Sequence, residues 1–247
     1  MMKMNLKLTA AFMFALQTMG LAHEVKPDVS RECVILIHGL GRSALSMKRM
    51  EWILARAGYQ TINLSYPSRH FRVEKLAEDY LQPALETRTV QQASKIHFVT
   101  HSMGGIILRH YLSNHTVDNL GSTVMLAPPN QGSELVDELK RHAVGRWILG
   151  PGGSELGTAT MDLPKQLGPT DFNLAVIAGD RSFNPWFSRI LPGPNDGKVS
   201  VENTKVEGMK QFLLVHNSHT WMMWRLKTIR QAMFYLQHDQ LAPTLEL

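Results

Sequence analysis

Apolar and polar positions along this chain switch repeatedly between two patterns. Short, mostly apolar runs occur at 33–37, 61–66, 96–99, 122–127, 174–178 and 211–216, and the first of them is unbroken. Runs of this kind suit strands of a parallel sheet buried on both faces. Between them lie stretches with apolar residues at helical spacing. The segment 43–57 carries Met47, Met50, Ile53 and Leu54 and stops at Gly58; 73–86 is a second helix, which Pro83 should kink or end early. The segment 221–237 places Met222, Leu226, Ile229, Met233 and Leu236 on one face, a stripe expected to pack into the core. Strand and helix alternating in this order predict an α/β domain with a mostly parallel central sheet and helices on both faces.

The alternation breaks once, at 130–170. This stretch holds scattered apolar residues and the run Gly150-Pro151-Gly152-Gly153. An insertion between strands commonly forms one wall of a substrate pocket, so a small, partly helical cap or lid over 131–149 is expected. A crossover helix with a long loop is the plainer alternative.

The first residues form a separate unit. Lys3 and Lys7 precede an apolar run at 8–16, and Gly20-Leu21-Ala22 offers the small residues read by a signal peptidase. Residues 1–22 are therefore expected to be a signal peptide cleaved after Ala22, leaving one domain over 23–247 in a secreted or periplasmic protein. An amphipathic N-terminal helix on a cytoplasmic protein is the alternative. The apolar run is short and broken by Gln17 and Thr18, which favours removal or loose anchoring over a permanent membrane span.

Composition narrows the classes further. With 247 residues, 44% of them hydrophobic and 19% charged, the chain can bury a large core, and a folded domain rather than disorder is expected. The formal charge of +5 is spread along the chain rather than gathered in a stripe or tail. A nucleic-acid partner is not expected. The lone Cys33 cannot form an internal disulfide and lies in an apolar run, where a buried, inert thiol is expected.

Chemistry concentrates at strand ends. Thr100-His101-Ser102-Met103-Gly104 follows an apolar strand and opens a helix, the arrangement of the nucleophile elbow G-x-S-x-G with Thr at its first position. Small residues are needed there because the serine backbone is strained and the helix passes close to the strand. The first strand ends in His38-Gly39-Leu40-Gly41, a turn that can supply one backbone N–H for an oxyanion hole; the residue after the nucleophile supplies the other. These positions are Leu40 and Met103. A serine nucleophile also needs a base and an orienting carboxylate, in the chain order Ser, Asp or Glu, His. Among eleven histidines, His219 falls between the last strand and the last helix, with His216 as its competitor. Asp196, in the turn Asn195-Asp196-Gly197, is the favoured acid; Asp180 and then Glu202 compete with it.

Taken together, His38-Gly39-Leu40-Gly41, Thr100 to Gly105, Asn195-Asp196-Gly197 and Ser218-His219-Thr220 resemble the α/β-hydrolase superfamily, and within it bacterial lipases and esterases of the class 2 triacylglycerol lipase type. The resemblance spans about 31–237. It implies an α/β-hydrolase fold and cleavage of carboxylic esters through an acyl-enzyme, with Ser102, Asp196 and His219 as the triad and no cofactor. The implied partners are a small-molecule or lipid ester and, transiently, a lipid surface. Some related lipases hold a structural calcium ion, but no carboxylate cluster in this sequence argues for a metal. Acyltransfer or thioester hydrolysis would use the same residues, and a non-catalytic lipid-binding protein of this fold is a further alternative.

Overall fold

The computed structural model describes residues 29–243. The N-terminal segment read as a signal peptide lies outside them. Six strands form one sheet: β1 (Glu32–Ile37), β2 (Gln60–Leu64), β3 (Lys95–His101), β4 (Leu120–Leu126), β5 (Leu174–Gly179) and β6 (Gln211–Val215). Their spatial order is β2-β1-β3-β4-β5-β6, and every neighbouring pair is parallel. The chain leaves β1 toward one edge and returns at β3 to build toward the other. The crevice at the carboxyl ends of β1 and β3 is therefore the topological switch point, where open α/β sheets bind ligands.

Strand alternation divides the core into two layers. Cys33, Ile35 and Ile37 of β1 join Phe98 of β3 and Val176 of β5 on one face, under the helical stretch 73–85 and the helix Met103–Asn114. Val34 and Leu36 point the other way and meet Val99, Val124 and Ile177, under the helices Lys48–Arg56 and Leu226–His238. Both faces are apolar, which is why these strands read as mostly apolar runs. Cys33 is fully buried, and desolvation pushes its thiol pKa up to about 11.

Two details differ from the pattern in the sequence. Pro83 does not end its helix. The turn before it widens into a π-helical stretch, Ala77–Leu81, and Pro83 then sits in the first turn of Gln82–Leu85, where its missing N–H has least consequence. In the last helix Leu226 is 39% exposed, while Thr228, Gln231 and Tyr235 join Ile229 and Leu236 in the buried face. A short 3-10 turn, Met222–Trp224, precedes that helix and shifts its buried face relative to the stripe read from sequence.

The 130–170 insertion folds as two helices, Glu134–Lys140 and Ala143–Ser154, followed by the short turn Leu163–Gln166. The second helix breaks at Gly150, whose φ of +64° is favoured only by glycine; a Cβ there would lie 2.0 Å from the Arg69 carbonyl oxygen. Arg109, on the helix Met103–Asn114, clamps both roots of the insertion. One guanidinium nitrogen donates to the backbone and side-chain oxygens of Asn130 at 3.0 and 3.1 Å, and another to the Gly168 carbonyl at 2.5 Å. All three acceptors are neutral, and desolvation lowers the Arg109 pKa to about 10.

Arg109→Met keeps the volume but strips these acceptors of their donor. The expected loss is roughly 2–3 kcal/mol, a fall in Tm of about 4–12 °C. Thermal unfolding checks it, and an unchanged Tm would show that Arg109 does not hold the insertion.

Candidate active site

Ser102 occupies the turn between β3 and the helix Met103–Asn114 with φ 54° and ψ −126°. A non-glycine residue in that region carries strain of order 1–3 kcal/mol and persists only where its surroundings fix it. Here the Ser102 N–H donates to the Leu126 carbonyl at 2.9 Å, and its own carbonyl accepts from Gly105 N–H at 3.0 Å. Gly104 lets the helix pass against β1: a Cβ on it would lie 2.4 Å from the Ile37 carbonyl oxygen and 2.7 Å from that of His38. Any side chain there would push the helix, and Ser102 with it, away from the switch point. Thr100, the non-glycine position of the elbow, is fully buried at the end of β3.

The loops after β5 and β6 bring Asp196 and His219 to Ser102. Ser102 Oγ lies 2.9 Å from His219 Nε2, and His219 Nδ1 lies 2.7 Å from Asp196 Oδ2. The carboxylate can only accept, so Nδ1 carries the imidazole proton and Nε2 is left to accept the hydroxyl proton. The second carboxylate oxygen, Oδ1, accepts the backbone N–H groups of Lys198 and Val199, both at 2.9 Å. His219 N–H also donates to the Asp196 carbonyl at 3.1 Å, tying the two loops together. Both side chains are shielded from solvent.

The competing residues are elsewhere. His216 Nδ1 pairs with Asp180 Oδ1 at 2.7 Å in a more exposed pair. Glu202 pairs with Lys205 on the surface at 2.8 Å. Leu40 lies in the turn after β1 and lines the same cavity as Ser102, and Met103 is the first residue of the elbow helix, where helical N–H groups have no internal acceptor. The turn is held by Gly41 N–H donating to Ser68 Oγ at 2.9 Å and by His38, whose ring stacks on Tyr66 at 4.0 Å.

Sequence reasoning gave His101 no role. It is buried beside Ser102, and its Nε2 donates to the His219 carbonyl at 3.0 Å, while Nδ1 has no hydrogen-bond partner. Burial is the main cause that holds its pKa well below 6.5, and the nearby His219, Arg42 and Lys198 add to it. A neutral His101 therefore supports the backbone of the loop that presents His219. The available signal was its position, since a histidine at the buried end of a central strand must find a partner nearby.

A cavity of about 210 Å³ opens beside Ser102 and His219. Leu135, Val136 and Leu139 from the first insertion helix, with Ile148, Leu149 and Leu156 further along, give it an apolar wall. Among the described residues no group of three or more His, Cys, Asp and Glu side chains is placed to hold a metal ion.

A strained serine at a switch point, in hydrogen-bonded line with a histidine and a carboxylate, belongs to hydrolase chemistry, and the family comparison agrees. Residues 34–236 match the alpha/beta hydrolase family, and the chain belongs to it. The structure is similar to mature lipase BlEst2 from Bacillus licheniformis, with a TM-score of 0.65 and 18% identity over 85% of this chain and 94% of that one. It is also similar to esterase EaEST from Exiguobacterium antarcticum (TM-score 0.54, 15% identity, 83% and 91% covered) and to the metagenomic carboxyl esterase MGS0156 (0.58, 19%, 77% and 65%). At these identities the likeness establishes the fold. No curated protein matches the sequence.

Three buried histidines give the protein a sign for its acid sensitivity. In His38, His97 and His101 burial, first among the causes, lowers the pKa below 6.5. The unfolded chain then binds protons that the folded one does not, so this stability is complete above pH 6.5 and is lost as pH falls below it. Tm should stay level from pH 7.5 to about pH 6.5 and drop between there and pH 5 in calorimetry; a flat Tm down to pH 5 would mean these imidazoles are not held neutral.

Proposed function

We propose that this protein hydrolyses carboxylic esters through an acyl-enzyme. The observation that carries the reading is the hydrogen-bonded line Ser102, His219, Asp196, with spacings of 2.9 and 2.7 Å, at the edge of an apolar cavity. In this mechanism the Ser102 hydroxyl proton passes to His219 Nε2 as Oγ bonds to the ester carbonyl carbon. Asp196 holds the imidazole tautomer and stabilises the imidazolium. The N–H groups of Leu40 and Met103 hold the oxyanion; fixed main-chain donors there need no reorganisation as charge develops. The tetrahedral adduct expels the alcohol, which takes the proton from His219. Water, deprotonated by the same imidazole, then releases the acid.

The apolar wall supports an acyl group as the buried part of the substrate. The cavity is smaller than the ~300–1,000 Å³ usual for a whole drug-sized ligand, which favours a short or medium acyl chain over a complete triacylglycerol. Transient contact with a lipid surface is supported by exposed Val144, Trp147 and Trp186 on the helices that also carry the lining residues Ile148 and Phe187.

Ser102→Ala should abolish hydrolysis of nitrophenyl hexanoate, by at least ~10⁴-fold in kcat, with Tm retained; residual turnover near the native rate would remove Ser102 from the mechanism. Asp196→Asn should cost on the order of 10³–10⁴ in kcat, whereas Asp180→Asn should leave kcat near the native value. The reverse ranking would move the acid to the loop directly after β5.

A further inference from the structure

Apart from Ser133 and the residues of the hydrogen-bonded line with His101, the cavity beside Ser102 is polar at one place. Arg42, directly after the turn that carries Leu40, and Lys198, two residues after Asp196, both line it. Neither side chain has an ion pair or a hydrogen-bond acceptor among the described residues, and the two share one cavity. The one carboxylate close to Lys198 is Asp196, and its two oxygens already serve His219 and two backbone N–H groups. Lys198 stays open to solvent on one side, although protein surrounds it on the others. Desolvation and the Arg42 charge together push its ammonium pKa below the ordinary range. Two cations are thus held within each other's field, at a cost that an anion placed between them would relieve.

The side of the site they occupy narrows what that anion belongs to. Both charges act on His101, which lies against the loop of His219. The acyl chain suits the apolar wall of the cavity, and the alcohol, which takes its proton from His219 in the mechanism above, is the portion left to meet the two cations.

Resting on the ester-hydrolase reading above, we propose that Arg42 and Lys198 form an anion subsite for the alcohol portion of the substrate, so that the preferred esters carry a phosphate or carboxylate there and an uncharged acyl chain on the other side. Guanidinium and ammonium together suit this ligand: Arg offers a planar fork of donors to the oxyanion and Lys a mobile point charge. The subsite would select among esters that a purely apolar pocket cannot tell apart.

Binding can be measured without turnover. The probes are three soluble ethers of 1,2-di-O-hexylglycerol that cannot be hydrolysed, bearing at the third oxygen a phosphate, a carboxymethyl or a methyl group, each titrated below its aggregation concentration into the full chain by calorimetry. At low salt at least one anionic ether should bind about tenfold tighter than the neutral one, a difference of about 1.4 kcal/mol; the tighter of the two identifies the anion. The advantage should shrink toward twofold or less at high salt and in the double variant Arg42→Gln/Lys198→Gln. Each variant's preference is read as a ratio between its own ligands, so any general loss of affinity cancels. Equal binding of all three ethers to the native protein would overturn the proposal, as would a preference that survives the double substitution. Hydrolysis of the matching hexanoyl esters runs alongside. If the anionic ether is preferred but no ester is cleaved, the hydrolase reading fails and the subsite stands; if esters are cleaved without any preference, the reverse holds.

Discussion

Everything at this site depends on how closely the elbow helix lies against the end of β1. Gly104 sits where a Cβ would be 2.4 Å from the Ile37 carbonyl oxygen, so the absence of a side chain sets the distance between the two central segments. That approach holds Ser102 in a strained conformation and brings the turn after β1 against it, where a Cβ on Gly39 would lie 3.0 Å from the Ser102 Cβ, at the crevice where the strand order reverses. Strain at Ser102 and two apolar core layers are parts of one arrangement. The layers fix the strands and helices, and these fix a backbone that would relax if it were free.

The insertion is attached to that arrangement rather than laid over it. Arg109 projects from the elbow helix to Asn130 and Gly168, at the two roots of the insertion. Ser133 donates to the carbonyl of Lys198 at 2.6 Å, and Glu155 accepts from Val73 N–H at 2.8 Å. The wall of the cavity is therefore coupled to the helix that carries Ser102 and to the loop that carries Asp196. Geometry of the acyl wall and geometry of the hydrogen-bonded line should change together when one of these links is cut.

The sheet and its helices were legible in the sequence because strands buried on both faces must be apolar throughout, and amphipathic helices must repeat near 3.6 residues. Ser102 was legible for a similar reason, since few residue patterns satisfy a sharp strand-to-helix turn. The acid was harder. Asp180 and His216 directly follow Gly179 and Val215, which are register partners in β5 and β6, so adjacent strands bring them together as a pair of their own. Asp196 and His219 meet only because two longer loops fold back, and loop paths leave little periodic trace. Arg42 and Lys198 were invisible for another reason: in one dimension they are two of 26 scattered basic residues, and only the folded loops show that both face one cavity without a counter-charge. Gly150 was one residue of a Gly-Pro-Gly-Gly run in the sequence, and in the fold it marks a fixed break in a helix against the Arg69 backbone.

The central claim is that this geometry makes one particular serine nucleophilic. Treating the native protein with a fluorophosphonate and mapping the adduct by peptide mass spectrometry tests it without choosing a substrate. The account predicts a single phosphonyl adduct on Ser102 that His219→Ala suppresses by orders of magnitude; no adduct, or an adduct on another serine with Ser102 unmodified, would contradict it.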